Sequence, residues 1–196
     1  MEKNKVLDII IEFVNAVKNE GRIEVKKNNK LYSIFSARYL LGQIIRQYEI
    51  PKNHYYISKS AQNKWKTLSN EDVWKYTHRN IVKCSAKNEV EIKKFKNNGR
   101  EATVQKIKTG EKFVFNDVFH DEHIIPVKII IEELLKIEKL SYSNVEEVLD
   151  KIYICRMLKE EDRSIDIKAN RPFDFKKVID EIYKPKGIKI LPRILE

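Results

Sequence analysis

Four consecutive residues, His120, Asp121, Glu122 and His123, place two imidazoles and two carboxylates directly before the apolar Ile124-Ile125-Pro126. Carboxylates suit a hard cation such as Mg2+ or Mn2+, and a neutral imidazole can take a proton from water near neutral pH. Those are the two ingredients of metal-assisted phosphodiester hydrolysis: a base that activates water, and a cation that stabilises charge on the phosphate and the leaving oxygen. On a regular strand Glu122 and His123 face opposite sides, so bringing both to one centre needs a bend where the strand ends. A lone histidine at a strand end is more often an idle hydrogen-bond partner of a backbone carbonyl. Three ionisable neighbours in a row weigh against that reading for His123.

The charge around this quartet is strongly basic. The 196 residues hold 39 Lys and Arg against 29 Asp and Glu, a formal net charge of +10. Such a surplus speeds encounter with polyanions and favours phosphate contacts, although an AT-rich genome also yields Lys- and Asn-rich chains. From Lys93 to Lys112 the sequence is almost wholly basic and polar, so Lys93, Lys94, Lys96, Arg100, Lys106 and Lys108 are candidates for contact with a nucleic-acid backbone. Arg163 and Arg171 have the planar fork that grips a phosphate bidentately, but surface salt bridges would explain them equally well. The aromatics Trp65, Trp74 and Tyr76 sit at helical spacing and read as core.

No apolar run reaches the roughly 18–20 residues that a membrane span requires, and the N-terminal apolar segment lacks a signal-peptide cleavage site. Cys84 and Cys155 lie far apart and form no CxxC pair. Neither a structural zinc nor a disulfide framework is expected, Cys155 reads as a small buried apolar residue, and the expected location is the cytoplasm.

These residues need a scaffold. Val6, Ile9, Ile10, Phe13, Val14 and Val17 share one face of a helix over 3–18. RIEV and KLYSIF flank Asn28-Asn29 as a hairpin, Ser36 caps a helix ending before Pro51, and a short helix covers 61–68. Ser69 and Asp72 resemble a capping box opening another helix. Thr109-Gly110 marks a turn that would join ATVQKIK to EKFVFN in a second hairpin. VFHDEH reads as strand or extended loop, VKIIIEELLKI as helix, and Ser143 with Glu146 as a capping box for the next helix. IYIC reads as a short strand, KEEDRSI as a helix, Asp174 as the cap of FKKVIDEIY, and GIKILPRIL as a terminal strand or extended tail. The expected architecture is α+β: a mainly helical, DNA-contacting lobe over 1–90 with one small hairpin, then a lobe over 91–196 that carries the chemistry.

The run Glu122-His123-Ile124-Ile125-Pro126 resembles the first strand of the HNH, or His-Me finger, endonucleases, which share a ββα-metal fold. The resemblance implies that His123 is the general base and that Glu122 helps hold the metal. Tyr153-Ile154-Cys155-Arg156 matches the family's second strand, leading into the helix of Lys159–Arg163. The last metal-binding position would then fall among Glu160, Glu161 and Asp162, with Asp162 favoured and Glu161 next. Acidic residues in a helix's first turn are also favoured by its dipole alone. Asp121 is a secondary ligand candidate. His120 fits a supporting role or a phosphate contact better than direct ligation. The motif's middle Asn would be Asn144 or Asp150. The match covers about residues 113–165 and departs from the family in its long insertion between the two strands and in lacking bracing zinc cysteines.

The expectation is therefore a Mg2+- or Mn2+-dependent endonuclease acting on double-stranded DNA, of the restriction or phage-defence kind, and a homodimer if it cuts palindromes. A non-catalytic DNA-binding regulator, reading through helices near 37–48 and 58–80, explains the charge but gives the His-Asp-Glu-His quartet no task. A ribonuclease toxin is the third possibility.

Overall fold

The structure is a computed structural model that describes residues 3–19, 23–27, 30–35, 37–76, 83–95, 102–165 and 171–194. Along the chain come α1 (Lys3–Asn19), β1 (Ile23–Lys27), β2 (Lys30–Phe35), α2 (Ala37–Ile45), β3 (Tyr55–Ser58) and α3 (Lys59–Leu68). The strands β4 (Lys83–Ser85), β5 (Val90–Phe95), β6 (Ala102–Ile107) and β7 (Lys112–Val114) follow. The remainder is α4 (Phe115–Val118), β8 (Phe119–His123), α5 (Val127–Lys136), α6 (Tyr142–Leu149), β9 (Ile154–Leu158), α7 (Lys159–Ser164), α8 (Phe175–Val178) and β10 (Ile190–Pro192). The protein is thus mixed α+β. Among the described residues no helix is long and apolar enough to cross a membrane.

The chain forms two compact units: 1–51 with 123–153 and 171–175, and 52–122 with 154–170 and 176–196. Each unit therefore draws on residues from both sides of residue 90.

In the first unit α1, α2, α5 and α6 pack on one another. Leu7, Ile10 and Val14 of α1 meet no solvent to speak of, as do Leu41 and Ile45, Ile130 and Leu134, and Val145 and Leu149. Each aliphatic side chain so buried contributes about 1.5–3 kcal/mol. At Gly42 of α2 a Cβ would make ordinary contact with Ile131 Cδ1 of α5 at 3.5 Å, and only the Arg46 side-chain end, 3.3 Å away, would have to shift. β1 and β2 pair antiparallel as expected, with Lys27 opposite Lys30.

The second unit is built on a four-stranded sheet in the order β10-β3-β9-β8. β3 runs parallel to β9, with Tyr56 opposite Cys155, and β10 is antiparallel to β3. Every residue of β9 is buried. An aromatic cluster lies against this sheet: Phe115 stacks on Phe119 at 4.8 Å, and Trp65 meets both rings edge-on at 5.7 Å.

Three local expectations are corrected. β6 does not pair with β7; it pairs antiparallel with β5, and β7 pairs with β4. The turn at Gly110 exists, with φ +78°, but its ends bond to Ala86 rather than closing a ladder across the turn (Gly110 N to Ala86 O 2.7 Å, Ala86 N to Glu111 O 2.9 Å). After Asp72 the chain makes only a 3-10 turn over Val73–Lys75, capped by the Asp72 side chain on Trp74 N. The capping box of α6 uses Ser141 and Asn144, two residues earlier than Ser143 and Glu146.

Candidate metal centre

Strand alternation sorts the His-Asp-Glu-His quartet. His120 and Glu122 sit two apart on β8 and share a face, and Asp121 and His123 alternate to the other, so His123 is not among the residues that converge. On the first face, His120 Nε2 lies 3.8 Å from Glu122 Oε2 and 3.9 Å from Asp162 Oδ1 of α7. One ligand atom from each of the three residues lies within 4.8 Å of the others. Two ligands on one ion with bonds of about 2.0–2.2 Å stand between about 3 and 4.4 Å apart, so the triad is close to the spacing that a bound cation imposes. His120 is 39% exposed, Glu122 17% and Asp162 21%, which leaves the centre half-open to solvent. Burial alone pulls the His120 imidazole down, but the Glu122 hydrogen bond and the Asp162, Glu122 and Asp121 charges outweigh it and hold the pKa above 6.5.

On the opposite face Asp121 is buried against Arg156 of β9. Arg156 Nε donates to Asp121 Oδ1 at 2.7 Å and Nη2 to Oδ2 at 2.8 Å, while Nη1 reaches Val73 O at 2.5 Å. The guanidinium lies 4.6 Å from the Trp74 ring centre and 5.0 Å from that of Phe115. Asp121 is thereby occupied, and sequence reasoning had not singled out Arg156 as its partner. An Arg inside an otherwise apolar strand is itself the available signal, since a charge so placed must have a counter-charge.

The acids of α7 are also divided. Glu160 is exposed and pairs with Lys93 at 2.6 Å. Glu161 turns back over the start of its own helix: its Oε2 accepts from Leu158 N at 2.9 Å and from Ser58 Oγ at 2.5 Å. Asp162 alone of the three meets His120. Of the expected ligands, Glu122 and Asp162 come together, His120 joins them, and Glu161 is engaged elsewhere. Cys155 is fully buried, and that burial, with Glu161, Asp121 and Glu122 nearby, holds its thiol well above the ordinary value. Both cysteines are free.

His123 closes β8 and is partly buried. Its backbone carbonyl and that of Ile124 each accept from Arg171 Nη1 at 3.3 Å. Arg171 is buried, so it braces the backbone at this point and is not available to clamp a phosphate. Asn144 is spent on its helix cap, with Oδ1 accepting from Ser141 N at 2.8 Å and Nδ2 donating to Lys139 O at 2.6 Å. Asp150 caps the other end of α6.

Among the basic candidates, Lys94 pairs with Asp117 at 2.9 Å and Lys106 with Glu89 at 3.3 Å. Arg163 lies over the Phe95 ring at 4.3 Å, and Lys108 is exposed. Lys96 and Arg100 lie outside the described residues.

No family model matches the chain, and no curated protein or solved structure matches it.

Proposed function

We propose that the protein is a metal-dependent endonuclease of the HNH kind, with Glu122, Asp162 and His120 as metal ligands. His123, which the resemblance makes the general base, ends β8 outside that cluster, so its part in the reaction requires the strand end to turn it toward the centre. The observation that carries this reading is the meeting of Asp162 with His120 and Glu122, since ligands from β8 and from the helix after β9 are what the resemblance of EHIIP and YICR to that family implies. His120 enters the ligand set directly, a larger role than its sequence position suggested. One imidazole with two carboxylates suits Mn2+ at least as well as Mg2+. Bound there, a divalent cation supplies charge stabilisation for the phosphate and the leaving 3′-oxygen. His123 takes a proton from water, whose oxygen forms the new bond to phosphorus as the bond to the 3′-oxygen breaks. The net charge of +10 supports a polyanionic substrate, and the expected kind remains a restriction or phage-defence enzyme on double-stranded DNA.

Supercoiled plasmid incubated with Mn2+ or Mg2+ tests the reading. Nicking or linearisation that disappears with EDTA, with Asp162→Asn and with His123→Ala is expected. DNA that stays intact across metals, sequences and salt, with RNA cleaved in parallel, points to a ribonuclease. Metal-independent retardation of intact DNA points to a regulator.

A further inference from the structure

We propose that the buried Arg156–Asp121 pair positions the metal ligands, holding the two ligand-bearing segments in the register that brings His120 and Glu122 to Asp162. This rests on reading those three residues as a metal site.

Asp121 lies between His120 and Glu122 in β8, so the rotation of its backbone about the strand axis is theirs as well. The two parallel bonds to Arg156, at 2.7 and 2.8 Å, fix that rotation more firmly than one bond would. Arg156 in turn stands in β9, whose last residue, Leu158, leads directly into α7 and Asp162. The pair thus ties one ligand strand to the segment that supplies the third ligand. Arg156 has little freedom of its own: Val73 O holds Nη1, and the Trp74 and Phe115 rings flank the guanidinium.

Stability is a poor account of the same pair. Desolvating two charges offsets most of their attraction, and well-packed apolar residues of similar volume often serve a core as well or better. β9 otherwise carries Ile154, Cys155, Met157 and Leu158, so an apolar residue at 156 would continue its pattern. What an apolar pair would lack is directional geometry across the two strands. Asp121 and Arg156 are positioning residues here, since neither is among the three that converge.

Mn2+ binding to the full chain, measured by calorimetry and by the electron paramagnetic resonance of the free ion, tests the proposal. The variants are Asp121→Asn, Arg156→Met and Arg156→Lys, with Leu68→Ala, a fully buried core position outside the pair, as a core-destabilising control. Folding is checked by tryptophan fluorescence, and affinities are compared at a temperature where each variant is folded. Asp121→Asn and Arg156→Met should weaken Mn2+ binding by about 10-fold or more, as is usual when residues that orient ligands are lost. Arg156→Lys, which keeps the charge but loses the fork, should fall between. Leu68→Ala should melt earlier with its affinity unchanged. Wild-type affinity in folded Asp121→Asn would overturn the positioning role, as would an equal loss in Leu68→Ala. A wild-type chain that binds no Mn2+ would instead overturn the metal reading, and the proposal with it.

Discussion

Replacing Ser58 by Ala should destabilise the second unit by more than an ordinary helix-cap mutation. Ser58 is fully buried at the junction of β3 and α3, and its hydroxyl serves two partners. Its oxygen caps α3 by accepting from Ala61 N at 3.0 Å, and its proton goes to Glu161 Oε2 at 2.5 Å. Loss of an N-cap costs about 1 kcal/mol. A hydrogen bond to an ionised carboxylate contributes about 1.5–3 kcal/mol, and among the described residues Glu161 would be left with its bond from Leu158 N. The sum is about 2.5–4 kcal/mol for one missing oxygen. Glu161→Gln keeps an acceptor but loses the charge, so it should cost less. The double mutant should be less destabilised than the sum of the singles, by about 0.5–3 kcal/mol, because both remove the same bond.

Urea unfolding followed by tryptophan fluorescence is the assay. The chain's two tryptophans, Trp65 and Trp74, both belong to the second unit, so the signal reports on that unit. A Ser58→Ala cost below about 0.5 kcal/mol, the range of an inconsequential surface change, would refute the two-partner account. So would strict additivity with Glu161→Gln. The same variant bears on the metal centre. Since Glu161 is committed to Ser58 and Leu158, Glu161→Gln should lower stability and leave Mn2+ affinity unaltered. Lost affinity with unaltered stability would make Glu161 a ligand.

Two further outcomes follow from the charges. The metal-free protein should lose stability relative to His120→Gln as pH rises: the raised imidazole pKa stabilises the folded state fully below 6.5, and that contribution disappears as pH climbs through the folded value. Mn2+ affinity should move oppositely, rising over the same window because ligation needs the neutral ring; a difference in unfolding free energy that is flat with pH would refute the pairing of His120 with Glu122 and Asp162. Exposed Lys108, changed to Gln, should weaken DNA binding regardless of sequence and reduce the slope of log K against log salt by about 0.9, the share of one phosphate contact; an unchanged slope in a salt titration removes Lys108 from the interface.

Much of the scaffold was legible because its causes are local. The apolar spacing of α1, the strands on either side of Asn28-Asn29, the helix after Pro126 and the strand-to-helix passage into Lys159 each follow from propensity and periodicity within a short window. What was missed depends on partners distant in the chain. The choice of β5 over β7 as partner for β6 is not written in the Thr109-Gly110 turn, which looks the same whether its arms pair with each other or elsewhere. Ser58 is 103 residues from Glu161, and Asp121 is 35 from Arg156. No periodicity reports such a contact.

The candidate site shows the division most clearly, because composition makes its acids look equivalent and backbone geometry does not. On β8 a two-residue period separates His120 and Glu122 from Asp121. On α7 successive residues turn by about 100°, so three consecutive carboxylates cannot converge on one point. Glu160 goes outward to Lys93, Glu161 back to Leu158 and Ser58, and Asp162 to His120. Both periods could have been applied to the sequence once a strand and a helix were assigned there, and they would have paired His120 with Glu122 and allowed one acid of the three. Which one it is depends on where α7 begins, and that is fixed by the Glu161 bond to Leu158 N at the end of a buried strand. The ligand and the cap are therefore set by the same residue step. Moving the start of α7 by one residue would turn Asp162 away from His120 and take Glu161 off its cap.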